Sequence, residues 1–224
     1  MEALVIKKQA TNENDQIVTL YTKDFGKITT VARSSLKNNS IQGMHLDVLN
    51  LIECDLVEGR GWPIITGAQS IKTFSNIKND IKTMSVAYYF TEIVDKIFFE
   101  NEKDQSLWDF LNKTFEDIYK FSNLDNDDLL KDLFKVKKIE LLNILGYMPN
   151  LNNCSLCSKS LNSKTIAYNV DINGVLCNNC FLSSGSGVIM RDTDIYSGGI
   201  ADSVFQSMSR SQIYSTKLIA SVLK

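Results

Sequence analysis

The hydrophobic pattern of the chain changes its period near Phe74. Before this point, apolar and polar residues alternate in short runs rich in β-branched side chains, which is typical of strands. Five such runs are separated by turn-forming residues, at positions 3–6, 16–21, 28–32, 48–57 and 63–68. Five short strands within about 70 residues predict a small closed barrel of the OB type. A five-stranded SH3-like barrel would give nearly the same pattern.

The second and third predicted strands are joined by a short hairpin turn, Lys23-Asp24-Phe25-Gly26-Lys27. Glycine is the residue that adopts a positive φ without steric cost. We therefore expect Gly26 to take a left-handed turn conformation between two paired strands.

After residue 76, apolar residues recur at helical spacing. A first helix is expected in a segment that Asn79-Asp80 could cap, and a second from near Asp104. A third covers residues 129–145 and ends at Gly146, with a proline shortly beyond. A last helix is expected at 211–223.

Four cysteines form two C-x2-C pairs with nineteen residues between them: Cys154, Cys157, Cys177 and Cys180. Two such pairs can complete a tetrahedral shell of four sulfurs around Zn²⁺. The alternatives are two disulfides, which need an oxidising compartment, and an iron–sulfur or redox site. We expect one structural Zn²⁺, because four thiolates leave no open coordination position for catalysis.

Together these patterns predict an α+β protein in which an N-terminal OB-type five-stranded β-barrel precedes an α-helical domain carrying a four-cysteine zinc-finger insertion. The expected segments are the barrel at 1–76, the helical domain at 77–150, the zinc module at 151–182, and a C-terminal helical segment at 183–224 that packs on the helical domain.

The sequence offers no plausible active site, and its net charge is mild. The net charge of −2 gives no global electrostatic argument for nucleic acid, and His45 is the one histidine of the chain. A lone histidine beside an apolar run is more often structural than catalytic. Phosphate-binding glycine loops are absent from the sequence.

The lone Cys54 is expected in the core. The N-terminus resembles neither a signal peptide nor a membrane span, so we expect a cytoplasmic protein without membrane contact.

A local basic cluster stands out against this mild charge. Residues 23–37 carry four cations, Lys23, Lys27, Arg33 and Lys37, against one acid, Asp24, for a net charge of +3. We expect Lys27 and Arg33 to be solvated on the barrel surface, where such barrels bind single strands with cations and exposed rings. Tyr21 and Phe25 are candidate stacking residues. The alternative is a solvated basic edge whose aromatic rings belong to the core.

Two motifs resemble the bacterial RecO family of recombination mediators. Residues 13–33 read E-x-D-x-I-V-T-L-Y-T-x3-G-K-x3-V-A-R, and residues 145–157 read L-G-Y-x-P-x-L-x2-C-x2-C. Tyr89-x-x-Glu92 also matches. The chain departs from the family after the first motif, where residues 34–37 carry fewer cations and no glycine.

The resemblance implies a non-enzymatic protein of the bacterial nucleoid that binds single- and double-stranded DNA and anneals complementary strands. It would act with RecR to displace single-stranded DNA-binding protein and load RecA at gaps. The expected DNA contacts are Lys27, Arg33 and Lys37, with Lys7, Lys8 and Lys23 as further candidates.

The acidic C-terminal tail of the single-stranded DNA-binding protein would dock on the helical block, where Lys135, Lys137 and Lys138 are candidate partners. Other interpretations are a zinc-ribbon and OB scaffold that binds RNA or other proteins, and a thiol redox enzyme.

Overall fold

A computed structural model of the 224-residue chain describes residues 1–122, 126–161, 165–169, 172, 174–184 and 188–191. The chain divides into two compact units: one contains Met1–Asn126, and the other begins at Asp127. In its described residues, the first unit holds a barrel and three helices. The second holds a long helix and the cysteine-rich module.

Five strands of the first unit form a closed barrel. They are β1 (Glu2–Ala10), β2 (Gln16–Thr22), β3 (Gly26–Ala32), β4 (Leu51–Val57) and β5 (Ile64–Lys72). Their order around the barrel is β1-β2-β3-β5-β4, and β4 pairs back onto β1. All neighbours are antiparallel except β3 and β5. This Greek-key order is that of an OB barrel, so the expected fold class is confirmed.

Helices α1 (Ser75–Asn79), α2 (Ile81–Ile97) and α3 (Gln105–Phe121) follow the barrel in the first unit. The side chain of Asp80 accepts hydrogen bonds from the first backbone N–H groups of α2, and Asp104 does the same for α3. Both caps satisfy donors that have no partner within the helix. The predicted starts of these two helices are confirmed.

Helix α2 packs against β1 and thereby covers the outer face of the barrel there. Residues 3–6 of β1 are all buried, although successive side chains of a strand point to opposite faces. One set points into the barrel, and the other set meets the helix. This double burial explains why β1 begins as a continuous apolar run.

The connection between α2 and α3 runs along the first half of β3. Strand β3 pairs with β5 only at Val31 and Ala32, so its earlier residues have no strand on that side. There, the backbone N–H of Asn101 donates to the carbonyl of Lys27 at 2.8 Å, and Glu100 forms a bridge to the same residue. The connection thus continues the barrel wall where β5 does not pair with β3.

Gly26 lies at the closest point of this approach. Its φ is +70°, and a Cβ built there would lie 1.9 Å from the carbonyl oxygen of Glu102. Gly26 also pairs with Thr22 across the hairpin. The left-handed conformation expected from the sequence is confirmed, and the tertiary contact adds a second reason for glycine.

The second unit begins with α4 (Asp127–Ile144), and Gly146 follows the helix with a φ of +72°. Three antiparallel strands in the order β7-β6-β8 form a small sheet: β6 (Thr165–Asn169), β7 (Gly174–Leu176) and β8 (Val188–Arg191). A short helix, α5 (Asn178–Ser184), follows β7. The helix expected at 211–223, and most of the segment 183–224, lie outside the described residues. The four-segment division stays a prediction.

Replacing Gly26 by alanine should lower the free energy of unfolding by about 2 kcal/mol or more. A left-handed non-glycine residue costs about 1–2 kcal/mol, and the new Cβ must also displace the carbonyl of Glu102. The measurement is urea unfolding followed by circular dichroism.

Gly61→Ala is the matched control, since a Cβ there meets nothing within 4 Å. It should change the stability by no more than about 0.5 kcal/mol. Equal unfolding midpoints for Gly26→Ala and the parent would contradict the close approach of the α2–α3 connection.

Candidate metal centre and nucleic-acid interface

The four paired cysteines come together in the second unit. The Sγ atoms of Cys154, Cys157, Cys177 and Cys180 all lie within 4.8 Å of one another. Cys157 Sγ and Cys177 Sγ are 3.7 Å apart, whereas a disulfide bond is about 2.05 Å long. A tetrahedron of sulfurs about 2.3 Å from a central metal has edges of about 3.8 Å. The cluster therefore has the dimensions of a four-sulfur metal site.

The first cysteine pair lies in a tight turn. The backbone N–H of Cys154 donates to the Lys159 carbonyl at 2.8 Å, and the N–H of Ser158 donates back to the Cys154 carbonyl at 2.9 Å. Ser158 takes a left-handed φ of 58° to close the turn. Such a turn aims the sulfurs of both cysteines toward one point.

The second pair is placed by β7 and α5. Cys177 directly follows β7, and its carbonyl accepts from the N–H of Phe181 in α5 at 2.9 Å. The two pairs are tied together where the N–H of Ser155 donates to the Val175 carbonyl at 2.8 Å. A Cβ at Gly174 would lie 2.2 Å from the Ser155 hydroxyl, so this approach needs glycine.

The electrostatics of the cluster favour a bound cation. Burial would raise the pKa of the Cys154 thiol, but backbone N–H groups of Cys177, Cys157 and Leu156 directed at its sulfur bring it down to about 6. The neighbouring sulfurs of Cys177 and Cys157 raise the pKa of Cys180 to about 12. All four thiols ionise together only when a cation compensates the charge. These residues can hold one metal ion.

The candidate DNA-contact loop follows β3. Arg33 and Lys37 are both exposed there, as expected. The loop is fixed to the β1–β2 turn, because the N–H of Ser34 donates to Asp15 at 2.7 Å and that of Leu36 donates to the Asn14 carbonyl at 2.9 Å.

The hydrogen bond from Ser34 lowers the pKa of Asp15, and a bond from the Asn12 side chain and the charges of Arg33 and Lys37 add to this. The carboxylate therefore stays ionised and holds the loop in place at neutral pH. The two cations are presented on a defined backbone.

Lys27 is not solvated, and the expectation that it stands on the barrel surface is wrong. Only 9% of the residue is exposed, and its Nζ donates to the backbone carbonyl of Asp95 at 2.6 Å, in the last turn of α2. Burial lowers the pKa of the ammonium, although the carboxylates of Asp95 and Glu100 act in the opposite direction. Its role as a DNA contact stays a prediction.

Of the two candidate stacking residues, one is buried and one is exposed. Tyr21 is fully buried and its hydroxyl donates to the Asp104 carbonyl at 3.3 Å, so the expectation of an accessible ring is wrong. Phe25 is 51% exposed in the hairpin turn. Sequence reasoning missed Trp62, which is 48% exposed. Its exposure could have been expected from the sequence, because it lies in the turn-forming run Gly59-Arg60-Gly61-Trp62-Pro63.

The three other candidate DNA contacts on the barrel differ in whether a carboxylate already pairs with them. Lys23 is exposed in the hairpin turn. Lys7 forms an ion pair with Asp95 at 2.6 Å, and Lys8 is paired with Asp47. Both lysines line a cleft of about 450 Å³ between β1 and α2. Their ammonium groups are already engaged by carboxylates.

Two of the three lysines expected to meet an acidic tail are buried in α4. Lys137 is 3% exposed and pairs with Glu140 at 3.0 Å, while Lys138 is 4% exposed and its Nζ lies 4.6 Å from the centre of the Phe134 ring. Lys135 pairs with Asp132 at 2.9 Å. Docking of a tail at this helix stays a prediction.

Two residues outside these sites behave as expected. Cys54 is 2% exposed within β4, and His45 Nδ1 lies 3.0 Å from the Ser70 hydroxyl. The histidine thus joins the connection between β3 and β4 to strand β5.

In the part of the chain that the structure describes, every helix is too short or too polar to cross a lipid bilayer.

Comparison with known proteins agrees with both the barrel and the cysteine-rich unit. Residues 1–74 match the family model described as Recombination protein O N terminal, and residues 78–202 match Recombination protein O C terminal. The chain belongs to the RecO family. This family acts in DNA repair and recombination, so the resemblance carried by the two sequence motifs is confirmed.

Individual relatives support the same conclusion. DNA repair protein RecO of Dehalococcoides mccartyi is 32% identical over 179 residues, which cover 80% of this chain and 68% of that protein. DNA repair protein RecO of a Thermoanaerobacter species is 31% identical over 179 residues, covering 80% of this chain and 69% of that protein. The boundary between the two RecO family models falls beside α1, directly after the barrel.

Replacing Cys157 by serine should abolish metal binding, because a hydroxyl is a poor ligand and three thiolates leave the shell open. The measurement is elemental analysis of protein purified under reducing conditions. The parent should carry about one ion per chain. Cys54→Ser also removes one thiol and should leave the metal content unchanged. A parent without metal, or a Cys157→Ser variant that keeps it, would overturn the assignment.

Replacing Lys27 by alanine should lower the free energy of unfolding by roughly 1–3 kcal/mol, because it removes a charged hydrogen bond to α2. Lys23→Ala removes an exposed lysine four residues earlier and should change stability by no more than about 0.5 kcal/mol. Urea unfolding of both variants compares them directly. Equal stability of the two variants would show that Lys27 does not join barrel and helix.

Proposed function

We propose that this RecO-family chain is a non-enzymatic recombination mediator that binds single- and double-stranded DNA and anneals complementary single strands during repair. The observation that carries the proposal is the closed OB barrel with an anchored, exposed basic loop after β3. OB barrels bind single strands through a basic groove and exposed rings. Family membership adds the context of DNA repair.

The proposed phosphate contacts are Arg33 and Lys37. Both side chains are exposed and their backbone is held by the β1–β2 turn, so little order has to be gained on binding. Lys23 is a further candidate in the adjacent hairpin turn. Lys7 and Lys8 are weaker candidates, because binding a phosphate would require them to exchange a carboxylate partner. For Lys27 we favour the structural role described above.

We infer that the metal ion is Zn²⁺ and that its role is structural. Four thiolates in a tetrahedron suit zinc, whereas Mg²⁺ and Ca²⁺ prefer oxygen ligands. The bound ion would fix the two turns and β7 relative to one another. Since all four positions are filled by protein sulfur, no position remains for a reacting molecule, and no free dithiol remains for redox chemistry.

The proposed partners follow from the RecO family rather than from a contact in this chain. They are RecR, RecA indirectly, and the acidic tail of the single-stranded DNA-binding protein, with the bacterial nucleoid in the cytoplasm as the place of action. The rival function is a zinc-containing scaffold that binds RNA or other proteins. Preference for single-stranded DNA over RNA of the same sequence distinguishes the two.

The DNA contacts can be tested by replacing Arg33 and Lys37 together with alanine. If each neutralises one phosphate, affinity for single-stranded DNA should fall for every sequence alike. The slope of log K against log salt should become shallower by about 0.7 per contact, about 1.4 in total. The measurement is fluorescence anisotropy with labelled oligonucleotides across a salt series.

The double variant Lys113→Ala, Lys120→Ala is the matched control. It removes the same charge from exposed positions of α3 and should retain the slope of the parent. A parent that fails to bind single-stranded DNA would overturn the proposed function. A parent that binds, with an unchanged slope in the Arg33 and Lys37 variant, would place the contacts elsewhere.

A further inference from the structure

The loop between β4 and β5, residues 58–63, presents an indole ring to solvent. Trp62 is 48% exposed, whereas Trp108 in α3 is 5% exposed. Among the described residues, the Trp62 ring takes part in none of the aromatic or cation–π pairs, and its N–H has no hydrogen-bond partner. About half of this large residue is therefore open to solvent.

The backbone under this ring is held on two sides. The carbonyl of Pro63 accepts from the N–H of Val31 in β3 at 2.8 Å, and Val31 also pairs with Ile64 at the start of β5. Within the loop, a Cβ at Gly59 would lie 2.1 Å from the carbonyl oxygen of Trp62, so the turn is tight. Proline at position 63 restricts the backbone further. The ring is presented by an ordered support.

The loop lies beside the same strand that leads into the basic loop. Trp62 is two residues before Ile64, and Arg33 is two residues after the paired Val31. At a rise of about 3.3 Å per extended residue, the backbones of these two residues are offset along the strand direction by at most about 13 Å, because four residue steps separate them in register. Further along the same connection between β3 and β4, the side chain of Gln42 donates to the Thr66 carbonyl of β5 at 2.6 Å. One bound strand can meet both loops.

The chemistry of the loop fits an unpaired base. Arg60 is exposed two residues before the ring and adds a cation for the adjacent phosphate. A base stacks on an aromatic face regardless of its identity, because every base has a π-face. Bases within a duplex are already stacked on their neighbours and cannot cover the ring.

We propose that Trp62 is a base-stacking residue that binds an unpaired base of single-stranded DNA on the β4–β5 loop. The inference rests on the proposed function and adds to it a non-electrostatic contact. It assigns single-strand preference to Trp62, and general phosphate affinity to Arg33 and Lys37.

Trp62→Ala should weaken binding to oligothymidine by about tenfold or more, while the slope of log K against log salt stays that of the parent, because no charge is lost. Trp62→Phe retains a ring and should bind within a few-fold of the parent. Binding of Trp62→Ala to duplex DNA should be unchanged. Val57→Ala, which trims another half-exposed apolar side chain at the end of β4, should bind as the parent does.

Intrinsic fluorescence gives a second readout that does not depend on affinity. Stacking should quench the Trp62 emission when oligothymidine binds the parent, and the quench should be absent in Trp62→Phe, whose emission comes from buried Trp108. A parent that binds oligothymidine without quenching, or a Trp62→Ala variant with parental affinity, would overturn the stacking role and leave DNA binding intact. Equal losses on single strands and duplex would also overturn it. Failure of the parent to bind any DNA would overturn both proposals.

Discussion

The first unit depends on how the barrel is closed between β3 and β5. Only two residue pairs join these strands, so the first half of β3 would otherwise expose its backbone. The α2–α3 connection supplies the missing neighbour, with Asn101 bonded to Lys27 and the Glu102 carbonyl packed where a side chain at Gly26 would be. Barrel and helices are therefore parts of one structure, since the helical connection completes the barrel wall.

The second unit depends on a different constraint. Around the cysteines, the buried cluster of described residues comprises little more than Cys154, Ala167 and Leu176, with partly buried neighbours such as Phe181. So small an apolar core contributes little to stability, and modules of this size are usually stabilised by a metal. Cys154, Cys177 and Cys180 therefore belong to this small core as well as to the candidate metal site. Gly174 allows the two cysteine turns to approach, since a Cβ there would lie 2.2 Å from the Ser155 hydroxyl oxygen.

The proposed DNA surface combines interactions that act over different ranges. Phosphate contacts are electrostatic, so their contribution to affinity falls as the salt concentration rises. Base stacking needs direct contact, and its contribution does not depend on salt in this way. A chain with a net charge of −2 has no overall attraction for DNA, so the placement of a few unpaired cations matters more than their number. Arg33 is exposed for this role, while Lys7 and Lys8 are neutralised by carboxylates in the cleft between β1 and α2.

Features that depend on local chemistry were determined by the sequence itself. The caps at Asp80 and Asp104, the left-handed Gly26 and the spacing of the four cysteines each follow from residues within a few positions of one another. The tertiary structure alone decided between an OB and an SH3-like ring, because strand order depends on the pairing of distant segments. It also buried Lys27 and Tyr21, whose partners lie 68 and 83 residues further along the chain. An alternating pattern shows which side chains share a face of a strand, but whether a later helix covers that face is decided only by packing.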